Sequence, residues 1–339
     1  MDTAMLEKNA SALVGPGRGI LAADESTGTM SSRLSLVGVE STAESRRAYR
    51  ANLFSTEGAE SAISGVILYD ETIRQNMDDG QSIPDYLTSR GILPGIKVDT
   101  GAKELAGSDG EKVTEGLDGL RERCAEYFQM GARFVKWRAV IRISESEPTP
   151  NCVHVNSHAL ARYAAISQEQ GLVPIIEPEV LMEGNHDAET CMEVTAWVLD
   201  EVWEQCMIQG VHLPGVLLKP NMIISGKSSS EQSDVDKVAK MTVDCLTTHV
   251  PAEIPGIVFL SGGQSDLDAT AHLNAMNAMD VEHPWQLSYS YGRALQAAAL
   301  QSWAGQSEEA NAASRGSLSH RAKMNSLARN GDWSMDLEE

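Results

Sequence analysis

The chain has 339 residues, 42% of them apolar and 5% aromatic, which allows two ordinary domains or one large barrel with an aliphatic core. Its formal net charge of −21 argues against nucleic acid or an anionic membrane as a partner, since both require basic surface. No apolar stretch approaches a membrane span, and "MDTAMLEKNASALVG" lacks the basic and apolar regions of a signal peptide. The five cysteines are widely spread without a CxxC pair, so they read as reduced thiols of a cytoplasmic protein.

Residues 1–14 read as an extra helix. Short apolar, often β-branched runs then recur: "GILAA" from Gly19, "GVILY" from Gly65, "PGIKV" from Pro94, "RFVKW" from Arg133, "LVPII" from Leu172, "GVLLK" from Gly215, "GIVFL" from Gly256 and "LSYS" from Leu287. Such runs mark strands buried on both faces of a parallel sheet. Helically spaced segments separate most of them, such as those beginning at Thr114, His158 and Ala188, and these three end in glycine. From Lys97 to Ser261 the strand ends recur every 39 to 42 residues. Eight such units predict an α/β fold, a (β/α)8 TIM barrel, as one domain over 1–339. The segment after Ser302 reads as helical, and 331–339 as a C-terminal tail.

Strand side chains alternate, so the ends of the runs can be sorted by face. Ile20, Ala22, Asp24 and Ser26 share one face, as do Gly95, Lys97 and Asp99. The same holds for Phe134, Lys136 and Arg138, for Val173, Ile175, Glu177 and Glu179, and for Gly215, Leu217 and Lys219. Each set begins small or apolar and turns ionic at its C-terminal end, where barrel enzymes carry their active sites. A single charge past a strand is often just where the chain meets water. Five strands with charge on one inward parity are not explained that way, because burying charge costs several kcal/mol per ion unless the ions pair or act.

Two lysines in one such cluster suggest a chemistry. A desolvated lysine beside a second cation loses its proton more readily, and the neutral amine adds to a ketone to form a Schiff base. Lys219 and Lys136 are the candidates for nucleophile and helper, and spacing does not say which is which. Carboxylates would carry the proton transfers. Ser261, Gly262 and Gly263 follow the seventh run, and Ser290, Gly292 and Arg293 follow the eighth, where barrels often hold phosphate. A second basic cluster of Lys97, Arg33, Arg46 and Ser26 suits a second phosphate, with Arg47 on a solvated helix face. His154 and His158, at i,i+4, are the only hint of a metal-dependent alternative, and no strand end carries a histidine.

The motifs "GRGILAADESTGTMSSRL", "LPGIKVDTG", "EGLDGLRERCAEY", "ARFVKWRAV", "VPIIEPEVLMEGNHD", "GVLLKPNM", "FLSGGQS" and "SYGRALQAAAL" closely resemble those of the class I, Schiff-base fructose-bisphosphate aldolases, in that family's order, from about Leu13 to Trp303. The resemblance implies Lys219 as the Schiff-base lysine, Glu177 as general acid/base supported by Glu179, Lys136 as the polarising contact to substrate hydroxyls, and Asp24 as the base for the hydroxyl whose C–C bond breaks. It implies Ser261, Gly262, Ser290, Gly292 and Arg293 around the phosphate beside the ketone. Ser26, Thr29, Arg33 and Lys97 would line the second phosphate site, and Trp137 and Arg138 would complete the wall. It further implies small phosphorylated sugars as substrates, a homotetramer, no cofactor and no metal, and a role in glycolysis and gluconeogenesis. A sister Schiff-base enzyme such as a transaldolase fits less well, since two phosphate sites favour a bisphosphate. The departure is at the end: familiar members finish in a tyrosine, whereas "NGDWSMDLEE" has none after Tyr291.

Overall fold

A computed structural model describes residues 1–304 and 307–339. Helix α1 (Thr3–Leu13) precedes β1 (Gly19–Ala22), α2 (Thr27–Leu36), α3 (Ala43–Phe54) and β2 (Ile63–Leu68). Two short helices, α4 (Asp70–Ile73) and α5 (Ile83–Ser89), lead to β3 (Leu93–Lys97). An antiparallel hairpin of β4 (Gly101–Glu104) and β5 (Lys112–Glu115) follows, then α6 (Leu120–Gln129), β6 (Phe134–Ile141), α7 (Pro150–Glu169) and β7 (Val173–Val180). The second half runs α8 (Ala188–Ile208), β8 (Leu217–Leu218), α9 (Val235–His249), β9 (Gly256–Phe259), α10 (Asp266–Ala278), β10 (Gln286–Tyr291), α11 (Arg293–Trp303) and α12 (Glu308–Asn330). The strands close in the order β1-β10-β9-β8-β7-β6-β3-β2, all parallel, so the eight apolar runs form the eight barrel strands. The β4–β5 hairpin is an addition that the apolar runs did not mark, because its strands are half exposed and charged.

The barrel interior is layered. Ile20, Ala22, Ile67, Phe134, Val173, Ile175, Leu217 and Val258 form its lower, apolar layer. Helix α1 closes this end with Leu6, Ala10, Leu13 and Val14. Asp2 caps α1 by accepting from the Met5 N–H at 3.1 Å, and Leu6, Ala10 and Leu13 recur on its buried face. The helix comes so close that a Cβ at Gly65 would lie 2.6 Å from Leu13, and one at Gly256 would lie 2.6 Å from Val14, so both strand positions require glycine. Emptying this plug is costly: Leu→Ala at a fully buried site such as Leu6 loses about 2–5 kcal/mol.

The opposite parity faces the helices. Leu21, Val135, Ile176, Leu218, Ile257 and Tyr289 pack in the outer shell. Trp137 belongs to this set. It is fully buried and stacks on Tyr163 at 5.5 Å, so it is part of the strand–helix core and does not line the cleft as the motif resemblance implied. The alternation that turns Lys136 and Arg138 inward turns the residue between them outward.

Candidate active site

The charged strand ends meet in a cleft of about 1140 Å³ at the C-terminal mouth. All of Asp24, Ser26, Thr29, Arg33, Lys97, Lys136, Arg138, Glu177, Glu179, Lys219, Ser261, Gly262, Ser290, Gly292 and Arg293 line it. Parallel register explains why: Lys97 lies beside Lys136, and Arg138 beside Glu177, on adjoining strands. Arg46 does not line the cleft. It is buried on α3 in a two-pronged pair with Glu71, at 2.6 and 2.8 Å, and is unavailable to a phosphate there. Arg47 does face the surface, paired with Glu44 and Asp78.

At the centre, Lys136 Nζ lies 2.7 Å from Asp24 Oδ2 and 3.1 Å from Glu177 Oε2, the latter a charge contact without hydrogen-bond alignment. Lys219 Nζ lies 3.3 Å from the other oxygen, Glu177 Oε1. All four groups are largely or wholly withdrawn from water, so their mutual charges act in a weakly screening medium. Burial presses both lysines toward the neutral amine, but they resolve differently. Asp24, Glu177 and Asp99 overcome burial at Lys136 and hold its pKa well above the ordinary value, so it is a cation. At Lys219 burial prevails: Glu177 raises the pKa, Lys136 lowers it, and it ends below the ordinary value. Burial raises the Asp24 carboxyl, but Lys136 and then Lys219 outweigh it and hold the pKa at about 2. Glu177 is likewise lowered, burial being outweighed by Lys136 and Lys219. Of the two lysines, Lys219 is thus the one whose proton is held less firmly.

Around this centre the side chains are held by neighbours. Lys97 Nζ donates to the Asp99 carbonyl at 2.9 Å and lies 2.6 Å from Asp99 Oδ1. Arg138 Nε pairs with Glu179, and that carboxylate outweighs burial to keep the guanidinium firmly charged. On one side of the cleft, Gly262 and Gly263 take positive φ of 58° and 86° after β9. Ser290 Oγ is buried with no hydrogen-bond partner among the described residues, and Gly292, just before α11, gives that helix no side-chain cap. These donors suit an anion. On the other side, Ser26 caps α2, its Oγ lying 3.1 Å from Thr29 Oγ1, while Arg33 pairs with Glu25.

Glu25 was missed in the sequence. It lies three residues past β1 on the parity opposite Asp24, and its carboxylate accepts from Arg33 and from Gln296 Nε2 at 3.0 Å. Asp99 was placed on the inward face without a role, and it proves to anchor Lys97. The histidines of the metal alternative lie apart on α7: His154 is 2.8 Å from Glu201 and His158 is 3.3 Å from Gln205. Among the described residues no group of three or more potential ligands is arranged to hold a metal, and no helix is long and apolar enough to cross a membrane.

A family model described as fructose-bisphosphate aldolase class-I matches residues 5–339. A probable fructose-bisphosphate aldolase class 1 of Xanthomonas axonopodis pv. citri is 54% identical over 333 residues, covering 98% of this chain and 99% of that one. A cytosolic fructose-bisphosphate aldolase of Arabidopsis thaliana is 49% identical, covering 97% of this chain and 92% of its own length. Among solved structures, fructose-bisphosphate aldolase from Plasmodium falciparum, crystallised with TRAP and a small-molecule inhibitor, superposes with a TM-score of 0.95 at 46% identity, covering 98% of this chain and 95% of that one. By sequence along its whole length and by barrel, this chain belongs to the class I fructose-bisphosphate aldolase family.

Proposed function

We propose that Lys219 is the amine on which this chain runs its family's reaction, the reversible aldol cleavage of fructose 1,6-bisphosphate to dihydroxyacetone phosphate and glyceraldehyde 3-phosphate, a step of glycolysis and gluconeogenesis. The observation that carries the reading is the chain of contacts Lys219–Glu177–Lys136–Asp24, with the depressed amine at one end. Neutral Lys219 adds to the substrate ketone. Glu177, a carboxylate at rest, takes the proton that Lys219 sheds on becoming the neutral amine and returns it to the carbinolamine hydroxyl, which departs as water and leaves an iminium. Asp24 accepts the proton of the hydroxyl across the breaking bond. Those electrons make that hydroxyl carbon an aldehyde, and the electrons of the broken C–C bond enter the iminium as an enamine. The aldehyde product departs, a proton returns to the enamine carbon, and water releases the second product.

Asp24 near 2 is a weak base on its own. It can take the hydroxyl proton because the iminium withdraws electrons from the same bond, and cationic Lys136 stabilises the developing oxyanion. Glu179 holds Arg138 at the rim. Ser261, Gly262, Ser290, Gly292 and Arg293 receive the phosphate beside the ketone, and Ser26, Thr29, Arg33 and Lys97 receive the other. Borohydride reduction in the presence of dihydroxyacetone phosphate is expected to fix the adduct on the peptide containing Lys219. An adduct on Lys136 or Lys97 instead would overturn the assignment.

The same reading takes residues 1–339 as one domain, places the chain in the cytosol, as the names of its plant relatives state for them, and assembles it as a homotetramer. Met207 and Ile208 stand about two-thirds exposed at the end of α8 and supply apolar surface for a subunit contact. Light scattering giving a four-chain mass supports the assembly, and a monomer at micromolar concentration overturns it.

A further inference from the structure

The segment that carries Lys219 is unusual in how its backbone is satisfied. β8 pairs with β7 only through Leu217 and Leu218, and Pro220 then ends the strand because it has no N–H to give. Residues 219–226 nevertheless remain buried without regular structure. A buried irregular backbone must find other partners. Lys219 N–H donates to the Ile176 carbonyl at 2.8 Å, and the Pro220 carbonyl accepts from Leu260 N–H at 3.2 Å.

Beyond that point side chains replace the ladder. Asn221, itself buried, accepts from the Val180 N–H at 3.0 Å through Oδ1. Its Nδ2 donates to Thr195 Oγ1 on α8 and to the Met222 carbonyl, each at 3.1 Å. Thr242 on α9 accepts from the Ile223 N–H at 2.9 Å. Val180 directly follows Glu179 on the strand that also carries Glu177, and Asn221 lies two residues past Lys219. One amide thus ties the strand of the proposed acid to the strand of the proposed nucleophile, and pins both to α8.

We propose that Asn221 is a positioning residue for Schiff-base formation: it sets the approach of Lys219 Nζ to Glu177 and keeps the space behind the amine closed to water. This rests on Lys219 being the nucleophile. Because burial is the first cause of the depressed amine, loosening this tie admits water and returns Lys219 toward an ordinary lysine. The phosphate-binding groups, borne by other elements, are not part of the tie.

The test compares Asn221→Ala, Thr195→Val and Thr195→Ser with the unsubstituted protein. Lys219 is titrated through the pH dependence of its acylation by a small neutral reagent, read peptide by peptide. Alongside run kcat for cleavage and inhibition by a hexitol 1,6-bisphosphate, which reads phosphate binding without chemistry. Asn221→Ala is expected to move the Lys219 titration up by about one pH unit, leaving about tenfold less neutral amine and a similar loss in kcat at neutral pH. The inhibition constant should stay within about twofold, since each tenfold change would require about 1.4 kcal/mol of altered phosphate contact. Thr195→Val, nearly isosteric, should shift the titration in the same direction, while Thr195→Ser, which keeps an acceptor, should match the unsubstituted protein. An unmoved titration in folded Asn221→Ala, or a rise in the inhibition constant parallel to the loss of kcat, overturns the proposal. If Asn221→Ala does not fold, identical titrations for Thr195→Val and Thr195→Ser overturn it. A borohydride adduct off Lys219 in the unsubstituted protein removes the premise, an outcome read without any variant.

Discussion

Glu177→Gln separates two effects that a purely structural role would not separate. The carboxylate lies 3.3 Å from Lys219 Nζ and 3.1 Å from Lys136 Nζ. At an effective dielectric near 20, a full charge pair at 3.3 Å is worth about 5 kcal/mol, an upper limit because the carboxylate is shared by two lysines. An opposite charge at such range ordinarily moves a pKa by about 1–3 units. Glu177 raises the Lys219 pKa, against burial and Lys136, so removing its charge lowers the Lys219 titration further, by about 1–2 units on that scale. Lys136 stays cationic because Asp24 remains 2.7 Å away. The variant thus holds more neutral amine than the parent and still turns over poorly, because its acid/base is gone, a loss of about 10²–10⁴-fold in kcat. Acylation of Lys219 as a function of pH measures the first effect, and steady-state cleavage measures the second. A Lys219 titration that moves up, or a kcat within about tenfold of the parent, would refute the reasoning, since that loss corresponds to only about 1.4 kcal/mol of barrier.

Arg293→Ala is expected to raise KM for the bisphosphate by about thirtyfold, roughly 2 kcal/mol of charge-assisted contact, with little change for an analogue lacking the phosphate beside the ketone; equal losses on both would mark a structural residue. Asp24→Asn should lower stability to urea at neutral pH by about 2 kcal/mol, because a carboxyl held at about 2 rather than 3.8 stabilises the fold above its unfolded pKa. That contribution is lost as pH falls through about 2, so the two urea curves should converge in strong acid, and a gap that persists there contradicts the ion-pair account. Deleting residues 332–339 should change kcat by less than about threefold, or about 0.65 kcal/mol of barrier. The tail is docked away from the cleft: Trp333 N–H donates to Asn274 Oδ1 at 2.9 Å, its indole N–H to Glu338 at 2.8 Å, and Glu338 pairs with Arg321 and His320. A large fall in both cleavage and proton exchange into dihydroxyacetone phosphate would show that the tail reaches the mouth.

What the sequence displays is what period two imposes. Ala22 to Asp24, Ile175 to Glu177 and Leu217 to Lys219 each step from apolar layer to ionic layer on one face, and parallel register aligns those steps around the barrel. Alternation carries one or two residues past a strand end, as at Asp24 and Lys219, and fails beyond that. Glu25 lies three residues past β1, and its pairing with Arg33 depends on where α2 turns, which no local spacing specifies. Arg46 resembled a phosphate ligand by type and nearness in sequence, but Glu71 on a different element captures it. Trp137 went wrong in the opposite way, since the alternation already placed it outside and the motif likeness overrode it. Asn221 carries no charge and interrupts no pattern, so only its bond to the Val180 N–H at the end of β7 points to the role proposed for it.

The distribution of internal counter-charges gives the two ends of the cleft different characters. Lys97 has Asp99, Lys136 has Asp24 and Glu177, Arg138 has Glu179, and Arg33 has Glu25. Arg293 lines the same cleft with neither carboxylate nor carbonyl partner among the described residues, beside an unpartnered Ser290 hydroxyl and the uncapped start of α11. A phosphate arriving at Arg33 must compete with an existing anion, so part of its attraction is spent displacing Glu25. A phosphate arriving at Arg293 meets a cation and donors with nothing to displace. Only the difference between free and bound contacts contributes to affinity. On the proposed reading, the phosphate beside the ketone is therefore held more firmly than its counterpart. The carbonyl is then registered against Lys219 before the bond breaks, while the aldehyde product, which alone is not bound covalently to the enzyme, leaves from the end where Glu25 competes for Arg33.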